Sequence, residues 1–366
     1  MKERINKLAI RGLTKRYGSA TALNHVDLDL ADGEFLTMLG PSGSGKTTLL
    51  WAVAGLNAPD DGKIWIDGRE ATDLPASGRD IGMVFQNYAL FPHMTVTENI
   101  SFPLEMRKML AGERLPAIRR ALEMVKLEHV GDRYCNQLSG GQQQRIALAR
   151  AFVANPSIIL MDEPLGALDK KLRDHLQLEI KRLHAQLGMT VLYVTHDQEE
   201  AMVMSDRICL MNRGRIEQIG APDELYFRPK SLFAADFLGE SNLIKGRIIA
   251  EEAECLVLDL PGIGTIRTRR TSSDVHGPDV IHFTRPESIE VLSDADTRTN
   301  QLCGQVTEVV VSGAITKLFI RVGETSTLQV SQLTRGSHGV RKGDTLTVGW
   351  NVDVGRVFSD NEREAA

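Results

Sequence analysis

The sequence predicts an α/β domain on a buried parallel sheet, interrupted by a helical stretch and followed by a small all-β domain. Three observations predict it. A glycine-rich stretch, Gly40-Pro41-Ser42-Gly43-Ser44-Gly45-Lys46-Thr47, sits between an apolar run and a helical one. A second strand–helix–strand rhythm runs from Ser157 to Val194. Beyond Phe237–Ser241 only short alternating segments separated by glycines and polar turns remain.

Composition sets the frame. At 366 residues the chain is too long for one typical domain. Its hydrophobic fraction of 42% and charged fraction of 25% are ordinary for a soluble globular protein. A net charge of -5 lacks the basic footprint expected of a nucleic-acid binder. Cys135, Cys209, Cys255 and Cys303 are scattered, so neither a disulfide framework nor a zinc site is expected, which suits a reducing cytoplasm. The first residues carry charge but no apolar signal-peptide core. No apolar run approaches the roughly 18 residues of a membrane span, so any membrane role is expected to come through partner chains.

In chain order, Leu8–Ile10 and Val26–Leu30 alternate like strands, and Asp32-Gly33-Glu34 reads as a turn. Phe35–Leu39 is apolar but for Thr37, as suits a buried parallel strand, and it runs into the glycine-rich loop. Thr48–Ala54 continues as a helix that Gly55 ends. Residues from about 87 to 154 are expected to be mainly helical, with Ile118, Leu122 and Val125 at helical spacing. Ser157–Met161 and Thr190–Val194 read as strands around a helix from Leu172 to Leu187, with Gly188 as its stop. Asn212-Arg213-Gly214 between two apolar runs signals a hairpin. After residue 237 the segments Leu256–Leu258, Val280–Phe283, Val306–Val311, Leu318–Val322 and Thr345–Val348 predict a small barrel. The expected division is 1–236, with a helical subdomain at about 88–155, and 237–366.

Gly40 to Thr47 fits the phosphate-binding pattern G-x-x-x-x-G-K-[ST] in its required strand–loop–helix context. Glycines let successive N–H groups aim at phosphate oxygens, and the following helix adds its positive end. Ser42, Gly43, Ser44, Gly45 and Thr48 are then phosphate contacts. Lys46 reaches the β- and γ-phosphates, and Thr47 ligates Mg²⁺. Ile158–Met161 delivers Asp162 and Glu163 to the ligand crevice, Asp162 to hold Mg²⁺ and Glu163 to polarise the attacking water. Two acids after a strand are often only a solvated turn; their place downstream of a phosphate loop gives the pair its meaning. His196 follows a second buried strand and is placed to hydrogen-bond the γ-phosphate or the water. Gln86 follows Gly82–Phe85, where an amide can ligate Mg²⁺ and report the γ-phosphate.

With these residues stands Leu138-Ser139-Gly140-Gly141-Gln142-Gln143-Gln144-Arg145, which resembles the signature sequence of ABC-type ATPases. From residue 4 to about 235 the order of motifs is similar to that of nucleotide-binding subunits of ABC transporters, including Ala167-Leu168-Asp169. The resemblance implies ATP and Mg²⁺ as cofactors and a head-to-tail pair of copies. Ser139, Gly140, Gly141 and Gln142 would then meet the nucleotide held by Lys46 of the other copy, from the N-terminus of a helix over Gln142–Val153. Asp169 would link the two sites, and Tyr17 resembles the aromatic that stacks on adenine, although a Tyr beside Gly18 also reads as core. Gln86 to Val96 resembles the importer form of the loop that meets two transmembrane permease subunits. This implies a peripheral place on the cytoplasmic face of the plasma membrane and an indirect extracytoplasmic solute-binding protein.

Residues 237–366, with Arg285-Pro286-Glu287, resemble the TOBE (OB-like) domain of importer ATPases, which in relatives pairs with its twin and sometimes regulates. The junction Phe237-Leu238-Gly239-Glu240-Ser241-Asn242 looks most like polyamine-type ATPases. Relatives for iron(III), sugars, glycerol phosphate or opines share the same motifs. A soluble ABC ATPase of DNA repair or translation is the reading from another class. Such proteins usually carry two cassettes or inserted coiled coils, and this chain has one cassette and neither insertion.

Overall fold

The computed structural model describes residues 6–166, 168–270, 277–293, 295–324, 326–337 and 339–360. The chain divides into two compact units, Met1–Pro222 and Asp223–Ala366.

The first unit opens with β1 (Asn6–Tyr17) and β2 (Ala20–Ala31), which are longer than their apolar cores suggested. β3 (Phe35–Leu39) leads to α1 (Lys46–Ala54), closed by Gly55 at φ 74°. β4 (Asp61–Ile66), β5 (Arg69–Glu70) and β6 (Ile81–Val84) follow. The helices α2 (Val96–Met106), α3 (Ala111–Met124) and α4 (Gly140–Phe152) occupy the expected helical stretch. α4 starts at Gly140, two residues before the expected Gln142, because Ser139 caps it from an extended conformation. β7 (Ile158–Asp162), α5 (Lys170–Leu187), β8 (Val191–Val194), α6 (Gln198–Met204) and the hairpin β9 (Arg207–Asn212) and β10 (Arg215–Gly220) complete the unit.

One sheet has the order β2-β1-β4-β5 and the other β10-β9-β3-β8-β7-β6. In the second, β9, β3, β8, β7 and β6 run parallel, so their C-terminal ends share one edge. Its central strands are buried on both faces, which is why they read as nearly continuous apolar runs. Their alternation still divides two cores. Val191 and Tyr193 of β8, with Ile159 and Met161 of β7, join the helical side of α2 to α5. Leu192 and Val194, with Ile158 and Leu160, pack with α1 and the antiparallel sheet.

In the second unit, α7 (Pro222–Phe227) and α8 (Leu232–Phe237) precede β11 (Asn242–Glu251), β12 (Cys255–Leu260), β13 (Gly264–Arg269) and β14 (Asp279–Thr284). Then come β15 (Glu290–Val291), β16 (Asn300–Ser312), β17 (Ile315–Val322), β18 (Ser326–Leu333), β19 (Thr345–Trp350) and β20 (Arg356–Ser359). They form antiparallel sheets β13-β12-β11-β14-β20 and β15-β19-β16-β17-β18. The division falls earlier than residue 237, and Arg285 supplies the physical reason. Its buried guanidinium donates to the carbonyls of Tyr226, Ala235 and Glu240 and to Ser241 Oγ, and stacks 4.2 Å from the Tyr226 ring centroid. The α7–α8 segment therefore belongs to the β unit.

His282 of β14 is fully buried, its Nε2 has no hydrogen-bond partner among the described residues, and burial pushes its pKa from 6.5 down to about 4. The folded chain keeps this imidazole neutral while an unfolded chain protonates it below about pH 6.5. Stability from this group is thus fully present above that pH and is lost as pH falls toward 4, by about 3 kcal/mol in all. Melting curves of the full chain between pH 7.5 and 4.5 should show this loss, and His282→Leu should flatten it. Equal pH slopes in the two proteins would contradict the assignment.

Candidate nucleotide site

The shared sheet edge collects the chemistry. The loop after β3 carries Gly40 to Thr47, the turn after β8 carries His196, β7 ends in Asp162 with Glu163 next, and Gln86 lies in the exposed turn after β6. Parallel strands put loops from one end together, so adjacency in the sheet becomes adjacency in the site.

The phosphate loop wraps tightly around its own lysine. Lys46 Nζ donates to Gly40 O at 2.8 Å and Pro41 O at 2.9 Å, and the residue is only 5% exposed. Burial lowers the lysine's pKa, while Glu163 and Asp162 pull it upward. Gly45 sits at φ +102°, where a Cβ would stand 2.4 Å from Ala22 O, so both conformation and space demand glycine. Ser42 and Gly43 are exposed, Ser44 is buried, and Gly45, Thr47 and Thr48 are partly buried. α1 begins at Lys46, so the lysine and Thr47 occupy its first turn.

Thr47 Oγ1 donates to Asp162 Oδ1 at 3.3 Å, and Trp51 Nε1 donates to Asp162 Oδ2 at 3.2 Å. Burial raises the Asp162 pKa, and the two donors counter it. Trp51 was not among the residues singled out from sequence. Its signal was available, because Thr47 and Trp51 are separated by one helical turn and share a face of α1. Trp51→Phe should leave the fold intact but raise the Mg²⁺ concentration needed for half-maximal ATP turnover by about threefold, the cost of one hydrogen bond. A magnesium titration of the ATPase rate checks this, and an unchanged midpoint would remove Trp51 from the site.

Glu163 stands just past β7 at φ 43°, a left-handed conformation that is uncommon for a side-chain-bearing residue. Its N–H donates to Val194 O at 3.0 Å, tying the β7 end to the β8 end. Its Oε2 lies 3.1 Å from His196 Nδ1. The two predicted residues are thus in direct contact, with the imidazole more than half exposed.

The other predicted residues lie on separate elements. Ser139 and Gln142 form a reciprocal capping box at the N-terminus of α4, with Ser139 N donating to Gln142 Oε1 at 3.0 Å. Gly140 is exposed and Gly141 buried, and among the described residues no hydrogen bond joins Ser139, Gly140, Gly141 or Gln142 to the phosphate loop. Asp169 caps α5 by accepting from Leu172 N at 3.0 Å. Ala167 of the Ala167-Leu168-Asp169 motif lies outside the described residues. Tyr17 is 51% exposed, so it is not a core residue; Asn57 donates to its hydroxyl and the Lys15 ammonium lies 5.6 Å from its ring centroid.

A phosphate loop, a carboxylate pair and a histidine at one edge of a parallel sheet define a P-loop ATPase. Residues 23–166 match the ABC transporter family and residues 284–358 match the TOBE domain. The chain is 43% identical to the spermidine/putrescine import ATP-binding protein PotA of Nitratidesulfovibrio vulgaris, over 99% of this chain and 100% of that one. It is 39% identical to the PotA of Thermotoga maritima over 95% and 96%. Among solved structures it resembles the dimeric bacterial ABC transporter cassette MJ0796, at 38% identity and a TM-score of 0.53, covering 59% of this chain and 98% of that one. A post-hydrolysis dimer of the same cassette, bound to ADP and Pi, matches at 36% identity and a TM-score of 0.52. The chain belongs to the ABC transporter ATP-binding proteins.

Proposed function

We propose that this chain is the ATP-hydrolysing motor subunit of an ABC importer for polyamines such as spermidine and putrescine. The observation that carries the reading is identity of 43% to a polyamine import ATP-binding protein across 99% of the chain, β unit included.

In this reading Ser42 to Thr48 cradle the triphosphate, Lys46 contacts its outer phosphates and Tyr17 stacks on the adenine. Thr47, Asp162 and Gln86 would hold Mg²⁺. A buried carboxylate beside a threonine hydroxyl fits an ion that keeps waters and leans on substrate phosphates. When bound, Mg²⁺ would neutralise developing charge on the phosphates. Glu163 polarises the water and His196, in contact with it, orients the γ-phosphate side of the reaction.

Ser139, Gly140, Gly141 and Gln142 complete the nucleotide site of a second copy, and Asp169 joins the two sites. The groove beside Phe85, Ala89, Phe91, Phe102 and Met106 supports docking by two transmembrane permease subunits. As an importer ATP-binding subunit, the chain would sit peripherally on the cytoplasmic face beneath them; among the described residues no helix is long and apolar enough to cross a membrane. An extracytoplasmic solute-binding protein would signal through those permeases, and the β unit would pair with its twin or regulate. The deciding experiment reconstitutes the chain with its co-purifying membrane subunits. ATPase stimulation is then measured with binding protein carrying spermidine, putrescine, sugars or iron(III). Stimulation by sugar or iron(III) and not by polyamine would replace the substrate assignment.

A further inference from the structure

Outside the phosphate loop, one side chain holds two functional turns together. Arg173 lies in the first turn of α5, directly after Asp169. Its Nη2 donates to Leu168 O at 3.1 Å and its Nη1 donates to Asp197 Oδ2 at 2.9 Å. Its Nε lies 3.8 Å from Glu200 Oε1. Asp197 and Glu200 both belong to the His196 side of the molecule. The other Glu200 oxygen accepts from Thr195 Oγ1 at 2.7 Å and from Tyr193 OH at 2.7 Å. Asp197 N donates to Thr195 Oγ1 at 3.0 Å, and Asp197 Oδ1 accepts from Glu200 N.

The residues on either side of His196 are therefore each anchored, Thr195 by Glu200 and Asp197 by Arg173. His196 itself makes its contact with Glu163. A guanidinium presents donors in a rigid fork, so one planar group can hold a backbone carbonyl and a carboxylate at fixed separation. Both Arg173 and its carboxylate partners are largely withdrawn from water, with side chains 26%, 24% and 3% exposed for Arg173, Asp197 and Glu200. Such a contact is screened less than a surface ion pair.

We propose that Arg173 is a positioning residue that couples the Leu168–Asp169 turn to the turn carrying His196. Movement of the first turn by an approaching second copy is then transmitted to the histidine that touches Glu163. The inference rests on the two-copy reading above. It assigns to a residue outside the nucleotide motifs the task of telling one site that the other is engaged.

The test uses the purified full chain and reads ATP turnover against ATP concentration, together with ATP-driven dimerisation in a Glu163→Gln background. Arg173→Met should lower kcat by about 10- to 100-fold, the scale of a small misplacement of a reacting group, and bring the Hill coefficient toward one. The KM for ATP should stay within about twofold, because no phosphate contact is lost. Arg173→Lys should recover little, since an ammonium lacks the fork. Asp197→Asn keeps the cap of α6 and the local shape, so it should give the same phenotype even if Arg173→Met folds poorly. The double variant should be no slower than Arg173→Met alone, the mark of one shared interaction. Normal kcat and cooperativity in Arg173→Met, or a multiplicative loss in the double variant, overturns the coupling. Failure of Glu163→Gln alone to dimerise on ATP instead overturns the two-copy reading.

Discussion

Glu163→Gln should slow ATP turnover by about 10²- to 10⁴-fold, the usual worth of a positioned general base, while leaving nucleotide binding intact. The substitution keeps size and shape at a residue whose Oε2 is 3.1 Å from His196 Nδ1. What it removes is the carboxylate's ability to accept a proton from water. Hydrolysis then stalls after closure, and an ATP-bound dimer should accumulate. Size-exclusion chromatography with and without ATP reads the dimer, and phosphate release reads the rate. A variant that hydrolyses ATP normally would take Glu163 out of this role, whatever the fate of the dimer.

The second large effect is expected at Gly141→Asp. Gly141 is buried in the first turn of α4, and a Cβ there would meet the Leu172 side chain at 3.2 and 3.3 Å. The leucine tip can yield, so the fold should survive. A carboxylate, however, would enter a helix N-terminus that is proposed to receive the phosphate of the other copy, and like charges repel there. ATP binding to the variant should be unchanged, dimerisation should fail, and turnover should fall by about 100-fold, or ~2.7 kcal/mol in the barrier. Gly141→Ala serves as the control, because it adds the contact with Leu172 without the charge. Dimerisation of the Asp variant on ATP would remove this helix end from the partner's site.

Much of this site was legible because its chemistry lies next to secondary-structure punctuation. Phe35–Leu39 reads as a strand from its own residues, and the loop after it announces itself through glycines that its geometry needs. Asp162, Glu163 and His196 were visible as polar tips on apolar runs. Trp51, Arg173 and Glu200 were not read, because each acts through a tertiary partner far along the chain or across a turn. A buried glutamate such as Glu200 looks like any helix-surface acid until Tyr193 and Thr195 are seen to donate to it. The inner strand β4 and the edge strands β5, β13, β15, β18 and β20 also escaped notice, since short or half-polar strands owe their state to neighbours. α6 was missed because seven residues offer little periodicity. α4 was placed two residues late because glycines argue against a helix interior, while the Ser139 cap satisfies the exposed N–H groups at its start.

The guanidinium of Arg285 has a consequence for how such chains are assembled over generations. A composition shift near Phe237 tempts a recombination event, or an engineer, to splice one cassette to another chain's β domain at that place. The cation would travel with the new segment, while the carbonyls of Tyr226 and Ala235 that receive it would be inherited from the other parent. If the incoming backbone failed to reproduce those acceptors, a buried charge would stand uncompensated, at a cost of about 3–5 kcal/mol. Chimeras joined near Pro222 carry the cation and its acceptors as one heritable block. Crossovers at that earlier joint should give folded hybrids more often than those made at the visible seam.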